Sequence, residues 1–523
     1  MIDRRRLMQA TLAAGIFSGT ALRAACAETS RLVFNADDFT ELKKTITTAK
    51  GERVVTYRFY KAIPYVSEPI DVAYQSLNIS VPVSIDGKRV DSSGSPILFS
   101  NSVGGYMPSS VADATGIGGA PMRGLPPTGM QAPPQGVAPT GIGGEVQSGG
   151  NAMIAGGKRV SNAELALAAG LTVVEPGARG RTLTDAAGTY YGVAPAAIVD
   201  LKAAVKYVRF NKGRIPGDTD RIVSSGTSAG GALSALLGAS GDSPLFAPYL
   251  EAIGAADASD AIFAVGSWCP IADLEHADMA YEWNWGANPL STGNTVDQNL
   301  SAQLKNGFAT YQSSLKLKGL GGFGPLTSAN YSDYLLKTYL QPAATQYLAK
   351  LSSEDRAAYL TRNPHIRWKA NQARFGWTDF LSHVGARKKG LPAFDAFDLS
   401  SGENNLFGRD KTKARHFTAF SQTHDTGKTA IDADIPALLD LMNPMFFIGK
   451  PNVSTAQHWW IRVGTKDSDT SLSIVGNLAA ALSANKRKVN SAMYWDGGHG
   501  ANEDADAFVK WVSRLNKDTR MRG

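Results

Sequence analysis

Apolar and polar positions along the chain predict a mixed α/β protein. Alternating or β-branched stretches at residues 53–60 and 70–83, then an apolar run at residues 96–99, indicate strands. From residue 161 onward, helical spacing of apolar positions alternates with short β-branched runs. Helices are predicted at residues 161–169, 195–210, 470–484 and 502–515, and strands at residues 171–174, 221–225, 261–265, 459–463 and 488–494. This alternation is typical of a mostly parallel central sheet flanked by helices.

Two segments interrupt the alternation. Residues 106–157 contain Gly, Pro, Ser and Met without any periodicity, which predicts a long mobile loop. Residues 270–457 have helical patterns but no regular strand alternation, which predicts a large inserted lid domain. We therefore expect a core domain built from residues 28–269 and 458–523, with the lid inserted between its two parts.

The first 27 residues predict an export signal. A basic start that includes Arg4, Arg5 and Arg6 precedes an apolar run at residues 12–22, and residues 25–27 form a small-x-small cleavage site. The arginines are compatible with either twin-arginine or Sec export. We expect the mature protein to be periplasmic or secreted, with no stable membrane association after cleavage.

Composition and charge indicate a globular protein of enzyme size. The 523 residues are 43% hydrophobic and 19% charged, which is not typical of disordered or fibrous chains. The export signal supplies +3 of the formal net charge of +7, so the remaining charge does not predict nucleic-acid binding. After cleavage Cys269 is the one remaining cysteine, and the mature chain can form no internal disulfide.

Residues 226–230 match the G-x-S-x-G pattern of a nucleophile elbow around Ser228. A predicted strand at residues 221–225 precedes the motif, and a helix of small residues beginning at Ala229 follows it. The two glycines permit a sharp turn and a close approach of strand and helix, which raises the serine hydroxyl above the sheet. The alternative is a chance match in which the serine caps the helix. Because of the flanking elements, we predict that Ser228 is a nucleophile.

A serine nucleophile needs an imidazole base and a carboxylate, and in α/β-hydrolases both follow the serine in the chain. His499 lies in a glycine-rich turn after the strand at residues 488–494, whereas the other six histidines lie in the insertion or at its end. Asp467 and Asp469 both follow the strand at residues 459–463. Asp469 is also suited to cap the next helix. Position favours Asp467 as the acid without excluding Asp469.

An oxyanion hole needs two backbone N–H groups. Ala229 follows the nucleophile, and Gly105 lies in the loop after the strand at residues 96–99, so we predict these two donors.

No cofactor or metal is expected. The glycine run at residues 319–324 lacks a preceding apolar strand, and the acidic stretch at residues 275–278 lacks a second histidine at metal-binding spacing.

Longer motifs make these observations more specific. They are residues 101–106, 226–232, 269–271, 274–283, 392–395, 403–408 and 469–471. In these motifs the chain resembles the bacterial tannases of the α/β-hydrolase superfamily, which hydrolyse gallate esters. The resemblance extends from about residue 31 to residue 515, interrupted by the Gly/Pro-rich loop. It implies the α/β-hydrolase fold and a serine esterase without a cofactor.

The resemblance also implies roles for individual residues. It places the catalytic triad on Ser228, Asp467 and His499 and assigns contact with the galloyl ring to Lys389, Glu403, Asp469 and Ile271. Charged donors and acceptors suit a ring with three adjacent hydroxyls. The family often has a proline before the glutamate, whereas Gly402 stands here. The cysteine pairing of fungal tannases near the serine and histidine is absent.

The sequence therefore predicts an exported serine carboxylic-ester hydrolase. Its expected substrate is a small-molecule galloyl ester, cleaved through an acyl-enzyme intermediate. A feruloyl or general aryl carboxylesterase is the nearest alternative, because it would share the triad. A catalytically silent exported binding protein on a hydrolase scaffold is a second alternative, which the intact serine, aspartate and histidine oppose.

Overall fold

A large central sheet organises the molecule. The computed structural model describes residues 31–118, 151–153, 159–428 and 430–515. The sheet strands are β1 (Thr40–Thr48), β2 (Gly51–Pro64), β3 (Ser76–Ile85), β4 (Lys88–Arg89), β5 (Pro96–Ser100), β6 (Thr172–Pro176), β7 (Asp218–Thr227), β8 (Ala264–Trp268), β9 (His458–Gly464) and β10 (Lys488–Tyr494). Their order is β1-β2-β3-β6-β5-β7-β8-β9-β10, with β4 paired to β3.

The sheet has an antiparallel end and a parallel body. Strands β1 to β4 pair in antiparallel orientation, and β3 also pairs antiparallel with β6. From β6 to β10 every neighbouring pair is parallel. Every residue of β5, β6, β8 and β9 is buried, as expected of parallel strands covered on both faces. The fold class predicted from the sequence is confirmed.

Helices cover the sheet and fill the segment between β8 and β9. In chain order they are α1 (Asn162–Ala168), α2 (Ala196–Phe210), α3 (Ala229–Ala239), α4 (Ala247–Ala252), α5 (Leu274–Trp285), α6 (Gln298–Ser314), α7 (Tyr331–Leu335), α8 (Gln341–Lys350), α9 (Ser353–Arg362), α10 (Trp377–Val384), α11 (Gly402–Leu406), α12 (Ala419–Thr426), α13 (Ile435–Met442), α14 (Pro444–Phe447), α15 (Leu472–Ala484) and α16 (Ala505–Arg514). Helix α3 packs on β7 and β8, and α15 packs on β9 and β10.

The segment predicted as a lid is largely helical, and it contacts the loop after β9. In α5, the Tyr281 hydroxyl donates to the carbonyl oxygen of Ser468 at 2.7 Å, and Nε1 of Trp285 donates to the carbonyl of Thr470 at 2.7 Å. The segment also contains two short antiparallel pairs, one of them at the glycine run (Lys318–Gly319 with Gly324–Pro325). The boundaries of the lid and core domains stay predictions.

The structure differs from the sequence expectation at three places. Strand β1 was not predicted. Residues 70–75, predicted as strand, form a turn in which the Gln75 side chain accepts the backbone N–H of Ile70 at 2.6 Å. In the predicted mobile loop, Tyr106 and Ile117 are buried, so residues 106–118 are packed against the core. Residues 119–150 and 154–157 of that loop, and the predicted export signal at 1–27, lie outside the described residues.

None of the helices in the described part of the chain combines the length and apolar character that crossing a membrane requires. Cys269, immediately after β8, is a free and buried thiol.

Candidate active site

Ser228 stands at a sharp turn between strand β7 and helix α3. Its backbone dihedrals are φ 61° and ψ −123°, a left-handed conformation that an L-residue adopts only when its surroundings enforce it. Its N–H donates to the carbonyl oxygen of Trp268 at 3.0 Å, which ties the turn to the end of β8. This is the local geometry of a nucleophile elbow.

The glycines around Ser228 are required by close backbone contacts. A Cβ on Gly226 would lie 2.3 Å from the carbonyl oxygen of Gly230. A Cβ on Gly230 would lie 2.6 Å from Oδ1 of Asn101, and one on Gly231 would lie 2.3 Å from the carbonyl oxygen of Trp268. Each distance is shorter than a Cβ contact can be, so each position admits glycine alone.

The structure brings Ser228, His499 and Asp467 into one hydrogen-bonded chain. Nε2 of His499 lies 2.9 Å from Oγ of Ser228, and Nδ1 lies 3.0 Å from each carboxylate oxygen of Asp467. Asp467 is fully buried, whereas the His499 side chain is partly exposed. The arrangement can transfer a proton from the serine to the imidazole while the carboxylate holds the ring.

Electrostatics favour the protonated form of His499. Burial acts to lower its pKa, but the neighbouring Cys269 and the Asp467 carboxylate outweigh burial and raise the pKa above its ordinary value. A raised pKa makes the imidazole a stronger acceptor for the serine proton.

Asp496 joins the loops that carry Asp467 and His499. Its carboxylate accepts from Nζ of Lys466 at 2.9 Å and from the Tyr359 hydroxyl at 2.6 Å, and it pairs with Nε2 of His383 at 2.6 Å. Burial acts to raise its pKa, but these three partners lower it to about 2. Asp496 therefore stays ionised and fixes both loops against helices α9 and α10.

Of the two predicted oxyanion donors, Ala229 follows the nucleophile directly in the chain, and Gly105 lies in a loop that is tethered to helix α3. Asn101 tethers the loop that carries Gly105, because its Nδ2 donates to the carbonyl of Gly230 at 3.2 Å and to Oγ of Ser234 at 2.9 Å in α3. Ala229 is the first residue of α3. Within the described residues the N–H groups of Gly105 and Ala229 donate to no other protein group, so both can donate to a substrate.

Asp469, predicted to bind substrate, is part of a charged group beside the triad. Its Oδ2 lies 3.8 Å from Nδ1 of His499 and accepts from Nζ of Lys388 at 2.8 Å. Burial acts to raise the pKa of Asp469, but His499 and the lysines Lys388 and Lys389 hold it below its ordinary value. The cap of α15 is instead Ser471, whose side chain accepts the N–H of Ser473.

Lys389 is held by an aromatic ring and a buried carboxyl group. Its Nζ lies 3.6 Å from the ring centroid of Phe394, and its N–H donates to the Tyr281 hydroxyl at 3.1 Å. Asp278 fixes this ring by accepting the N–H of Phe394 at 2.7 Å. Burial raises the pKa of Asp278 to about 7, against the hydrogen bonds it accepts.

Ile271 and Glu403 approach the site from two other segments. The N–H of Ile271 donates to the carbonyl of Ser228 at 3.3 Å, and its own carbonyl accepts the Tyr106 hydroxyl at 2.8 Å. Glu403 lies in the first turn of α11, where Ser401 is the cap. Burial and then the Glu403 carboxylate raise the pKa of Tyr106.

Sequence reasoning missed Arg181, Lys388 and Asp496. The Arg181 guanidinium occupies the space beside Gly402 in α11. A Cβ at Gly402 would lie 2.9 Å from Nη2 of Arg181. The glycine at this position therefore makes room for the guanidinium. Arg181 follows β6, and charged residues beyond the carboxyl ends of parallel strands are candidates for ligand binding. That position was the signal that could have identified it.

The sheet order and this geometry define the protein as an ester hydrolase of the α/β-hydrolase fold. Residues 189–312 match the family model described as BD-FAE, and no curated protein matches the chain. Three solved structures are similar to the chain over more than nine tenths of its length.

Sequence identity to these structures is about one third. The native tannin acyl hydrolase from Lactobacillus plantarum is 34% identical, with a TM-score of 0.73 and coverage of 92% of this chain and 98% of that chain. The Fusobacterium nucleatum tannase is 36% identical, with a TM-score of 0.72 and coverage of 92% and 98%. A tannin acyl hydrolase in complex with ethyl gallate is 35% identical, with a TM-score of 0.74 and coverage of 93% and 99%. The chain therefore belongs to the tannin acyl hydrolase, or tannase, family, and the resemblance stated from the sequence is confirmed.

Proposed function

We propose that the protein hydrolyses galloyl esters through an acyl-enzyme on Ser228. The Ser228 oxygen attacks the ester carbonyl while His499 takes its proton, and the ester C–O bond breaks as His499 returns that proton to the leaving alcohol. Water then attacks the acyl-enzyme with His499 again as base, which releases the acid and restores the serine. Asp467 orients the imidazole throughout.

The observation that carries this proposal is the hydrogen-bonded chain from Ser228 to His499 to Asp467, at 2.9 Å and 3.0 Å. The chain that carries these residues is 35% identical in sequence to a tannin acyl hydrolase in complex with ethyl gallate. Gly105 and Ala229 supply the N–H donors for the tetrahedral oxyanion. These donors stabilise charge that develops in the transition state.

Recognition of the phenolic ring is assigned to the charged residues around the triad. Lys389, Glu403 and Asp469 bind the ring hydroxyls, and Ile271 packs against the ring face. An ester without hydroxyls forms none of these hydrogen bonds, at a cost of about 1–3 kcal/mol for each partly buried polar group that is left without a substrate partner. We therefore expect the acid half of the ester to determine specificity more than the alcohol half.

Export is part of the same proposal, and it rests on the N-terminal sequence. Residues 1–27 would be removed, and the enzyme would act in the periplasm or outside the cell. Fractionation of cells that express the full chain, with mass measurement of the recovered protein, tests this point. Uncleaved protein retained in the cytoplasm would contradict it.

The test of function is kcat/KM for methyl gallate, methyl benzoate and methyl ferulate. We expect efficient hydrolysis of methyl gallate alone, loss of about three orders of magnitude or more in Ser228→Ala, and a reduced preference for gallate in Glu403→Ala. Glu251→Ala removes an exposed carboxylate on α4 and serves as the matched control. Equal rates on gallate and ferulate esters would instead indicate a feruloyl or general aryl esterase. No hydrolysis of any ester would indicate a binding protein.

A further inference from the structure

Cys269, Asp467 and His499 form a cluster of metal-binding side chains within the candidate active site. One donor atom from each residue lies within 4.8 Å of the donor atoms of the other two. Cys269 is 1% exposed and has no disulfide partner. The proposed hydrolysis accounts for Asp467 and His499, but no step of it forms a bond to the Cys269 thiol. The presence of a thiol beside the acid and the base is therefore the feature that ester hydrolysis does not require.

The main chain places these three residues together. Cys269 follows β8, Asp467 follows β9 and His499 follows β10, and these strands are parallel neighbours in the sheet. The N–H of Cys269 donates to the carbonyl oxygen of Arg462 in β9 at 2.7 Å, and the residue has a left-handed φ of 38°. The thiol is thus held beside the acid and the base by the sheet itself.

The donor set has the chemistry of a soft or borderline cation. A thiolate, an imidazole nitrogen and a carboxylate oxygen are the three ligand types that Zn²⁺ takes in proteins. Bond lengths of about 2.0–2.3 Å place tetrahedral ligands about 3.3–3.8 Å apart, so a separation of 4.8 Å or less needs a shift of about 1 Å. Mg²⁺ and Ca²⁺ prefer oxygen ligands throughout, and a sulfur ligand disfavours them.

We propose that Zn²⁺ or Cd²⁺ binds to Cys269, Asp467 and His499 and thereby inhibits the enzyme reversibly. Binding forms metal–sulfur, metal–nitrogen and metal–oxygen bonds and releases the thiol proton, and the second imidazole proton of any protonated His499, to solvent, with water completing the coordination. If Nε2 of His499 is the ligand, it can no longer accept the proton of Ser228. If Nδ1 is the ligand, the ring loses its hydrogen bond to Asp467. Either geometry removes the base from the reaction.

The charge around His499 supports cation binding. The Asp467 carboxylate is fully buried, and the Asp469 carboxylate lies 3.8 Å from Nδ1 of His499. Lys388 pairs with Asp469 and offsets part of this negative charge. Among the ion pairs of the described residues, Asp467 has His499 as a partner and no lysine or arginine. Partial exposure of the His499 side chain gives an ion access from solvent.

The first test compares inhibition by ZnCl₂ in the wild type and in Cys269→Ala, with methyl gallate as substrate and each rate relative to the same protein without zinc. We expect inhibition that EDTA reverses, and an inhibition constant at least about 30-fold higher in Cys269→Ala, since one of three protein ligands is lost. MgCl₂ should not inhibit. ZnCl₂ should inhibit His424→Ala, which lacks an exposed histidine, as strongly as it inhibits the wild type. Equal inhibition constants in the wild type and Cys269→Ala would overturn the proposal.

The second test does not depend on activity. Ser228→Ala is titrated with CdCl₂ while the ultraviolet absorption of cadmium–thiolate bonds is followed, and the titration is repeated with Ser228→Ala/Cys269→Ala. We expect about one equivalent of Cd²⁺ to produce the band in the first protein and none in the second. Absence of the band in Ser228→Ala contradicts cation binding. A Cys269-dependent band in Ser228→Ala, combined with a wild type that hydrolyses no galloyl ester, would contradict the proposed function and leave the cation site intact.

Discussion

Arg181 donates from Nε to the carbonyl oxygen of Gly105 at 2.8 Å, and from Nη1 to Oδ1 of Asn405 at 2.8 Å. Its backbone N–H also donates to the carbonyl of Tyr106 at 2.9 Å. The same side chain therefore joins the loop of the proposed oxyanion donor to helix α11, which carries Glu403. Arg181 thereby connects the loop proposed to bind the ester carbonyl with the helix proposed to bind the phenolic ring.

Replacement of Arg181 should affect both parts. In Arg181→Ala we expect kcat for methyl gallate to fall about 10- to 100-fold, because the Gly105 loop loses a tether and its donor moves from the oxyanion. The preference for methyl gallate over methyl benzoate should also shrink, since Glu403 loses a positive neighbour. Steady-state kinetics with both esters measure this, and thermal unfolding separates it from a loss of fold. Arg374→Ala, on the surface, is the control. Unchanged kcat and unchanged preference would remove Arg181 from the site.

Gly402→Pro tests whether glycine is needed to accommodate Arg181. Proline is favoured at the first position of a helix, and Gly402 is the first residue of α11. Its ring would nonetheless meet the Arg181 guanidinium, because a Cβ would lie only 2.9 Å from Nη2. We expect Gly402→Pro to lower kcat/KM for methyl gallate about tenfold in the wild type and to change it less in the Arg181→Ala background. Equal effects in both backgrounds would show that the two positions act independently.

Asp467→Asn and Asp469→Asn should have different kinetic effects. Asn at position 467 removes the carboxylate that holds His499, so we expect kcat to fall about 10²- to 10⁴-fold. Asn at position 469 leaves the triad intact and removes the partner of Lys388, so KM for methyl gallate should rise more than kcat falls. Measurement of both constants distinguishes the two roles. The opposite pattern would make Asp469 the acid.

The pH profile should report His499. Its pKa is raised, because Cys269 and Asp467 outweigh the opposing effect of burial. The imidazole accepts the serine proton only when neutral, so kcat/KM should fall as pH falls through a pKa above the ordinary value of 6.5. Asp467→Asn removes a negative neighbour, and its acid limb should shift to lower pH. An acid limb of the wild type below the ordinary value would contradict the assignment.

Local sequence patterns determined much of the fold and the centre of the site. Strands β5 to β9 and helix α3 follow from buried apolar runs and small residues, because burial imposes its periodicity on the chain. Strand β1 was not predicted, since residues 40–48 form an edge strand with mostly polar positions, and an edge strand needs no continuous apolar run. The turn at residues 70–75 depends on the side chain of Gln75, and alternation of residue types does not reveal such a hydrogen bond.

The sequence by itself determined the elbow at Ser228 and the chain order of serine, aspartate and histidine, because both depend on local turns at strand ends. Only the tertiary structure decided which polar groups meet. It pairs both carboxylate oxygens of Asp467, rather than Asp469, with Nδ1 of the His499 imidazole, and it gives Asp469 to Lys388. It also brings Arg181 to Gly105 and Asn405 across 76 and 224 positions of the chain. Contacts over such separations depend on strand order and loop path, and a local pattern of residue types does not encode these distances.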